Sequence, residues 1–179
     1  MNEANVEAGG QRNIKHKIYA RHAGLKDPNR LRLPLIKYCI GLALDIEGVD
    51  MPCEISVLVT NDHNIRALNR EFRALDEATD VLSFPMLEFS SPGWETPDAD
   101  KPDIETGLLP LGEIVFSGEK VSKQAQSYRR SREYETAYLT VHSVLHLLGY
   151  DHTDEAEGKR MMRGREEAIM SEIIKASAL

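Results

Sequence analysis

The stretch that decides how this chain folds runs from His142 to His152 and reads H-S-V-L-H-L-L-G-Y-D-H. His142 and His146 are four residues apart, so on a helix their imidazoles share one face, one turn apart. That spacing lets a nitrogen of each reach a single ion at about 2.0–2.1 Å. Gly149 follows three residues later, where a helix can end in a left-handed residue that strains other side chains. The chain then reverses and can bring back His152 as a third ligand. Three neutral imidazoles fill three corners of a tetrahedron and leave the fourth to water, which separates a catalytic zinc site from a closed structural one. Half of the six histidines fall in this stretch, which argues against a chance cluster in a core or on a surface.

Working outward, Tyr134, Ala137, Tyr138, Val141, Val144, Leu145 and Leu148 recur at steps of three and four. This stripe predicts the helix that carries His142 and His146, apolar enough to lie deep against a sheet and hold its ligands rigidly. Downstream, Asp154 and Glu157 form a capping box that opens a last amphipathic helix through Met162, Ile169 and Ile173. Upstream, a helix is expected over Gly118–Tyr128, with an irregularity around Arg129–Arg132. Strands are expected at Ile14–Ala20, at 53–60 (C-E-I-S-V-L-V-T), at Val81–Met86 and at Ile114–Ser117. Asp27-Pro28 and Pro34 mark a helix start, followed by Leu35, Ile36, Cys39, Ile40, Ala43 and Leu44 at helical spacing and closed by Gly48. Asn61 or Asp62 caps a second helix, with Ile65, Leu68 and Phe72 on its buried stripe. The order β-α-β-α-β-(loop)-β-α-α predicts an α/β fold, a mixed sheet of about four strands packed with helices. Residues 87–110, with their prolines, glycines and acids, read as a long acidic loop or flap, or as a variable insertion without function.

The chain of 179 residues is most simply one catalytic domain over 13–179, with a polar, disordered tail over 1–12. A formal net charge of -7 argues against a protein that coats nucleic acid indiscriminately. It leaves room for a local basic groove. Cys39 and Cys53 have no C-x-x-C spacing and lie far from the histidines, so free thiols in a reducing compartment are expected. No apolar run approaches the ~20 residues needed to span a bilayer, and Met1–Arg12 lacks the apolar core of a signal peptide. A cytoplasmic protein is expected.

The spacing H-x-x-x-H-x-x-G-x-x-H resembles the frame of the metzincin proteases. Those enzymes place a glutamate directly after the first histidine as general base. Here that slot holds Ser143, whose hydroxyl cannot accept a proton as a carboxylate does. The pattern keeps a zinc-hydrolase geometry and lacks a peptidase base. It leaves chemistry in which the ion supplies the nucleophile by lowering the pKa of bound water toward about 7.

A second cluster lies upstream. Arg66, Arg70 and Arg73 are spaced four and three apart and lie along one helix face. Guanidinium suits a phosphate, which it grips with two parallel hydrogen bonds. A solvated basic face is the alternative for Arg66 and Arg70, since exposure is the default for arginine. Lys120, Lys123, Arg129, Arg130 and Arg132 extend a basic surface that would track a phosphate backbone without sequence preference.

L-N-R-E-F-R-A-L-D-E-A-T-D-V-L-S-F-P (Leu68–Pro85), L-G-E-I-V-F-S (Leu111–Ser117) and the histidine stretch stand in this order. Together they resemble the YbeY family of bacterial endoribonucleases. The resemblance implies that His142, His146 and His152 ligate one zinc ion, with His142 and Arg73 catalytic. Arg73 would face the RNA; Arg66 and Arg70 are candidate substrate-binding residues by their helical spacing alone. It also implies cleavage of single-stranded RNA, maturation of the 16S rRNA 3′ end and ribosome quality control. The partners would be ribosomal RNA and the small subunit, not DNA or a membrane. The family more usually has glycine at Ser143 and aspartate at Glu113, and a shorter segment than 87–110. Two other readings use the same residues: a zinc-dependent peptidase or other metallohydrolase, and a non-catalytic ribosome assembly factor with structural zinc.

Overall fold

The computed structural model describes residues 14–25, 29–95, 102–151 and 156–176. The expected 1–12 tail, the Asp27-Pro28 helix start, Asp154 of the capping box and His152 all lie outside those residues. The elements are β1 (Lys17–His22), α1 (Leu33–Ile46), β2 (Cys53–Thr60), α2 (Asp62–Arg73), β3 (Val81–Pro85), β4 (Leu109–Ser117), α3 (Gly118–Ser127), α4 (Arg132–Leu147) and α5 (Ala156–Lys175).

The four strands form one mixed sheet in the order β1-β2-β4-β3. The β1–β2 and β2–β4 pairs are parallel, and β3 runs antiparallel to β4 at the edge. β2 has no polar side chain on its inward face, where Cys53, Ile55, Val57 and Val59 are all buried. Its other face, with Glu54, Ser56 and Leu58, is only half-buried. β1, at the other edge, alternates exposed and half-buried residues.

β4 begins at Leu109, five residues before the expected start at Ile114. Pro110 and Gly112 hid it, since both weaken a strand reading. The β2–β4 register shifts between Glu54 and Ile55, opposite Pro110 and Gly112, and a bulge tolerates a residue without an N–H. Gly112 has φ 145°, and a Cβ there would come within 2.3 Å of the Phe84 carbonyl oxygen. Only glycine lets β3 and β4 approach this closely.

One face of the sheet carries the main core. Leu35, Ile36, Cys39, Ile40, Ala43 and Leu44 form the buried stripe of α1, which meets α4 over the sheet. Cys39 and Cys53 are both buried and free, and burial pushes each thiol up to about 12. The opposite face holds a small cluster of Ile65 from α2 with Leu82 and Val115. Asn61 caps α2 by accepting from Asn64 N at 2.8 Å. Phe72, expected on the buried stripe, is exposed and meets the Phe84 ring edge-on at 5.2 Å. The last turn of α2 borders an open groove over the sheet rather than a second core layer.

α4 is buried almost all round. Ser131 caps it by accepting from Tyr134 N at 3.0 Å, and the expected irregularity before it is real: Arg129 takes φ 53°. Thr136 and Thr140 donate to the carbonyls four residues back, each at 2.7 Å, which satisfies their hydroxyls inside apolar packing. The helix closes as the sequence predicts. Gly149 has φ 79°, Gly149 N donates to His146 O, and Tyr150 N donates to Leu145 O. That paired closure reverses the chain at once.

Residues 87–95 are not a free flap. Leu87 is buried, Gly93 N donates to Leu148 O at 3.0 Å, and Trp94 Nε1 donates to Asp50 at 2.8 Å. Phe89 fills the space beside Gly149, where a Cβ would come within 2.9 Å of it. The apolar residues inside this acidic segment fasten it beneath the turn that ends α4.

Candidate active site

A cleft of about 650 Å³ lies between β3 and one face of α4, lined by Arg73, Asp80, Ser83, His142, His146 and Tyr150 among others. His142 and His146 meet in it as their spacing predicts. Their Nε2 atoms lie 3.1 Å apart, and the rings stand nearly perpendicular.

The other nitrogen of each ring fixes its tautomer. His146 Nδ1 lies 2.8 Å from the Tyr150 carbonyl oxygen, which can only accept, so Nδ1 holds the proton. His142 Nδ1 lies 2.7 Å from Glu166 Oε1, and an ionised carboxylate likewise only accepts. With Nδ1 of each ring engaged behind it, the two Nε2 atoms that face each other in the cleft are the nitrogens a metal ion would use. At metal–nitrogen distances of about 2.0–2.1 Å, two tetrahedral imidazole ligands place their nitrogens about 3.3–3.4 Å apart. The observed separation is within a few tenths of an ångström of that. The donor set fits a zinc-like ion, and the carboxylate and carbonyl behind the rings are the usual partners of such ligands. Among the described residues no group of three histidine, cysteine or acidic side chains converges to hold a metal. The expected three-histidine cluster is thus represented by two members, with His152 outside the described residues.

Glu166 and Tyr138 were not anticipated. Tyr138 donates to Glu166 Oε2 at 3.1 Å and stacks on the His142 ring, with centroids 6.3 Å apart. Burial, then the Glu166 charge and hydrogen bond, pushes the Tyr138 phenol up to about 12, so it stays a donor. Glu166 sits on the stripe of Met162, Ile169 and Ile173. An acid at a core position of an amphipathic helix was the available signal.

The three arginines part company. Arg66 grips Asp76 with two hydrogen bonds, 2.9 and 2.7 Å, and Arg70 approaches the same carboxylate at 3.8 Å. Arg73, just before the left-handed cap Ala74 (φ 58°), turns into the cleft and donates to Ser83 O at 3.2 Å. It has no carboxylate partner among the described residues. Ser143 does not line the cleft: it is fully buried, and its hydroxyl has no hydrogen-bond partner among the described residues.

The model of the family described as "Endoribonuclease YbeY" matches residues 27–174. The chain belongs to the YbeY family. The YbeY endoribonuclease of Clostridium kluyveri is 46% identical over 144 residues, 76% of this chain and 85% of that protein. The YbeY endoribonuclease of Lachnoclostridium phytofermentans is 42% identical over 143 residues, 78% of this chain and 86% of its own length. The solution structure of TM1509 from Thermotoga maritima shares the fold, with a TM-score of 0.56 at 22% identity over 92% of each chain. This YbeY chain holds the mixed sheet, the two facing imidazoles and the cleft-facing Arg73 within one structure. Among the described residues no helix is long and apolar enough to cross a membrane.

Proposed function

We propose that this chain is a metal-dependent endoribonuclease that cuts single-stranded RNA in ribosomal RNA maturation, at the 3′ end of 16S rRNA and in ribosome quality control. The observation that carries this reading is one cleft holding two imidazole Nε2 atoms 3.1 Å apart and a guanidinium, that of Arg73, with no carboxylate partner among the described residues. His142, His146 and His152 hold one zinc ion per chain, and residues 13–179 act as a single catalytic domain. When bound, the ion supplies a water of lowered pKa, near about 7, as nucleophile.

The chain's own residues do the rest. Glu166 and the Tyr150 carbonyl keep the protons on Nδ1 and the lone pairs on Nε2. Arg73 clamps the scissile or adjacent phosphate and stabilises charge growing on its oxygens. Arg66 and Arg70, which share one Asp76, extend the exposed face of α2 along which the RNA backbone would run. The peptidase reading loses further ground because the position after His142 faces the core. The partners are ribosomal RNA and the small subunit in the cytoplasm, in keeping with two free thiols.

Metal analysis and cleavage of single-stranded RNA, run on one preparation with and without chelator, test the proposal. Cleavage should require the ion, and His146→Ala should lose ion and cleavage together. Cleavage that persists in metal-free protein would overturn it.

A further inference from the structure

A second cavity, of about 570 Å³, opens between α3, α4 and α5 on the far side of His142. His142 and Asp80 line both this cavity and the active cleft, so the two adjoin. Its wall is aromatic and carries charges of both signs. Arg130 lies over the Tyr128 ring at 5.5 Å and over the Tyr134 ring at 5.0 Å, and Tyr128 is exposed.

Its floor is a fully buried carboxylate. Glu135 Oε1 accepts from Gln124 Nε2 at 2.9 Å. Among the described residues Glu135 Oε2 has no hydrogen-bond partner, and Arg130 Nη1 stands off at 3.6 Å, within ion-pair range only. A buried carboxylate oxygen without a donor is costly, and a donor brought by a ligand relieves that cost.

Resting on the endoribonuclease reading, we propose that this cavity takes one unstacked base of the RNA beside the cut, with Glu135 accepting hydrogen bonds from its Watson–Crick edge. The acids that line the cavity, Asp80, Glu135, Glu166 and Glu167, offset its cations Arg130, Lys159 and Arg163, which leaves no surplus positive charge for a phosphate, so the occupant is the base rather than the backbone. Flat aromatic and guanidinium surfaces are what unstacked bases lie on. Carboxylates accept from base N–H groups, and guanine offers two side by side, N1–H and the 2-amino group. The cavity therefore favours guanine at one fixed position relative to the cleaved bond.

The test uses short oligouridine RNAs carrying a single guanine, walked along the strand, and the same RNAs with inosine, which lacks the 2-amino group. Binding is measured with chelator present, and cleavage sites are mapped with zinc restored. Guanine should bind about ten-fold or more tightly than inosine, the scale of a hydrogen bond to a charged group, and cuts should keep a constant distance from it. Glu135→Gln keeps the acceptor for Gln124 and presents an amide toward the base, so it should erase the preference. Tyr134→Ala should weaken all the RNAs alike. Equal affinity for guanine and inosine at every position on the parent protein overturns the base site, even where Glu135→Gln does not fold. A parent protein that neither binds nor cuts any of these RNAs overturns the endoribonuclease reading itself.

Discussion

Glu166 Oε1 accepts the Nδ1 proton of His142 at 2.7 Å, across two helices twenty-four residues apart in sequence. The contact fixes the ring's orientation. Loss of such a partner commonly weakens metal binding about 10–100-fold. Glu166→Ala should show that loss in zinc competition against a coloured chelator, and Glu166→Gln, which keeps an acceptor, should lose less. Parent-like zinc affinity in Glu166→Ala would mean that stacking on Tyr138 alone orients the ring.

The second imidazole is held from further away. His146 Nδ1 donates to the Tyr150 carbonyl, Tyr150 Oη donates to Glu47 Oε2 at 2.8 Å, and Arg165 Nε donates to Glu47 Oε1 at 2.7 Å. Glu47 is almost wholly buried. Glu47→Ala leaves two donors without their acceptor and should cost about 1–3 kcal/mol of stability, read as a lowered melting temperature. Zinc affinity should fall as well, because the Tyr150 turn loosens. Tyr150→Phe keeps the carbonyl and should reduce stability with a smaller effect on zinc. If the two variants held zinc equally well, the chain of contacts would end at Tyr150.

Much of this site was legible because two periodicities coincide. The apolar stripe of α4 and the four-residue histidine spacing specify the same helix, and Gly149 closes it where its conformational freedom is used. The mixed sheet followed from the order of strand and helix patterns. β4 was read too short because Pro110 and Gly112 are strand breakers whose reason lies in pairing with β2 and β3. Phe72 was misplaced because helical periodicity cannot say where a sheet stops covering a helix. Glu47, Glu166 and Arg165 were missed because each acts through a partner distant in sequence, and pattern spacing carries no such information. The 87–95 segment was read by its acids, while its placement is set by Leu87, Phe89 and Trp94.

Asp62 predicts part of the acid limb of stability. Burial alone would raise its pKa, but hydrogen bonds from Ser117 and Lys123 and the charges of Lys123 and Lys120 outweigh it and hold it below the ordinary 3.8. A carboxylate depressed in the folded state stabilises the fold above its unfolded pKa and loses that contribution as pH falls through the folded one. Asp62→Asn should therefore melt below the parent at neutral pH, with the gap closing in strong acid. Melting temperature against pH for both proteins measures this. A gap that stays constant into strong acid would assign the effect to packing.

Arg73 separates the functional and structural readings most cleanly. The carboxylate that would brace it as a structural residue, Asp76, is already gripped by Arg66. Asp80 accepts instead from Thr79, Val81 N and Gln124. What remains is one hydrogen bond at 3.2 Å from its exposed side chain to Ser83 O, a carbonyl that water can also satisfy. Arg73→Ala should therefore leave melting temperature and zinc content near the parent's. Cleavage of single-stranded RNA should fall on the order of 10²-fold or more, the scale for removing one preorganised donor. Arg73→Lys should rescue poorly, because a point charge cannot repeat the two-pronged grip on phosphate. The deciding quantity is activity per folded, zinc-loaded molecule. A folded, zinc-loaded Arg73→Ala protein that cuts RNA at the parent rate would remove Arg73 from the active site.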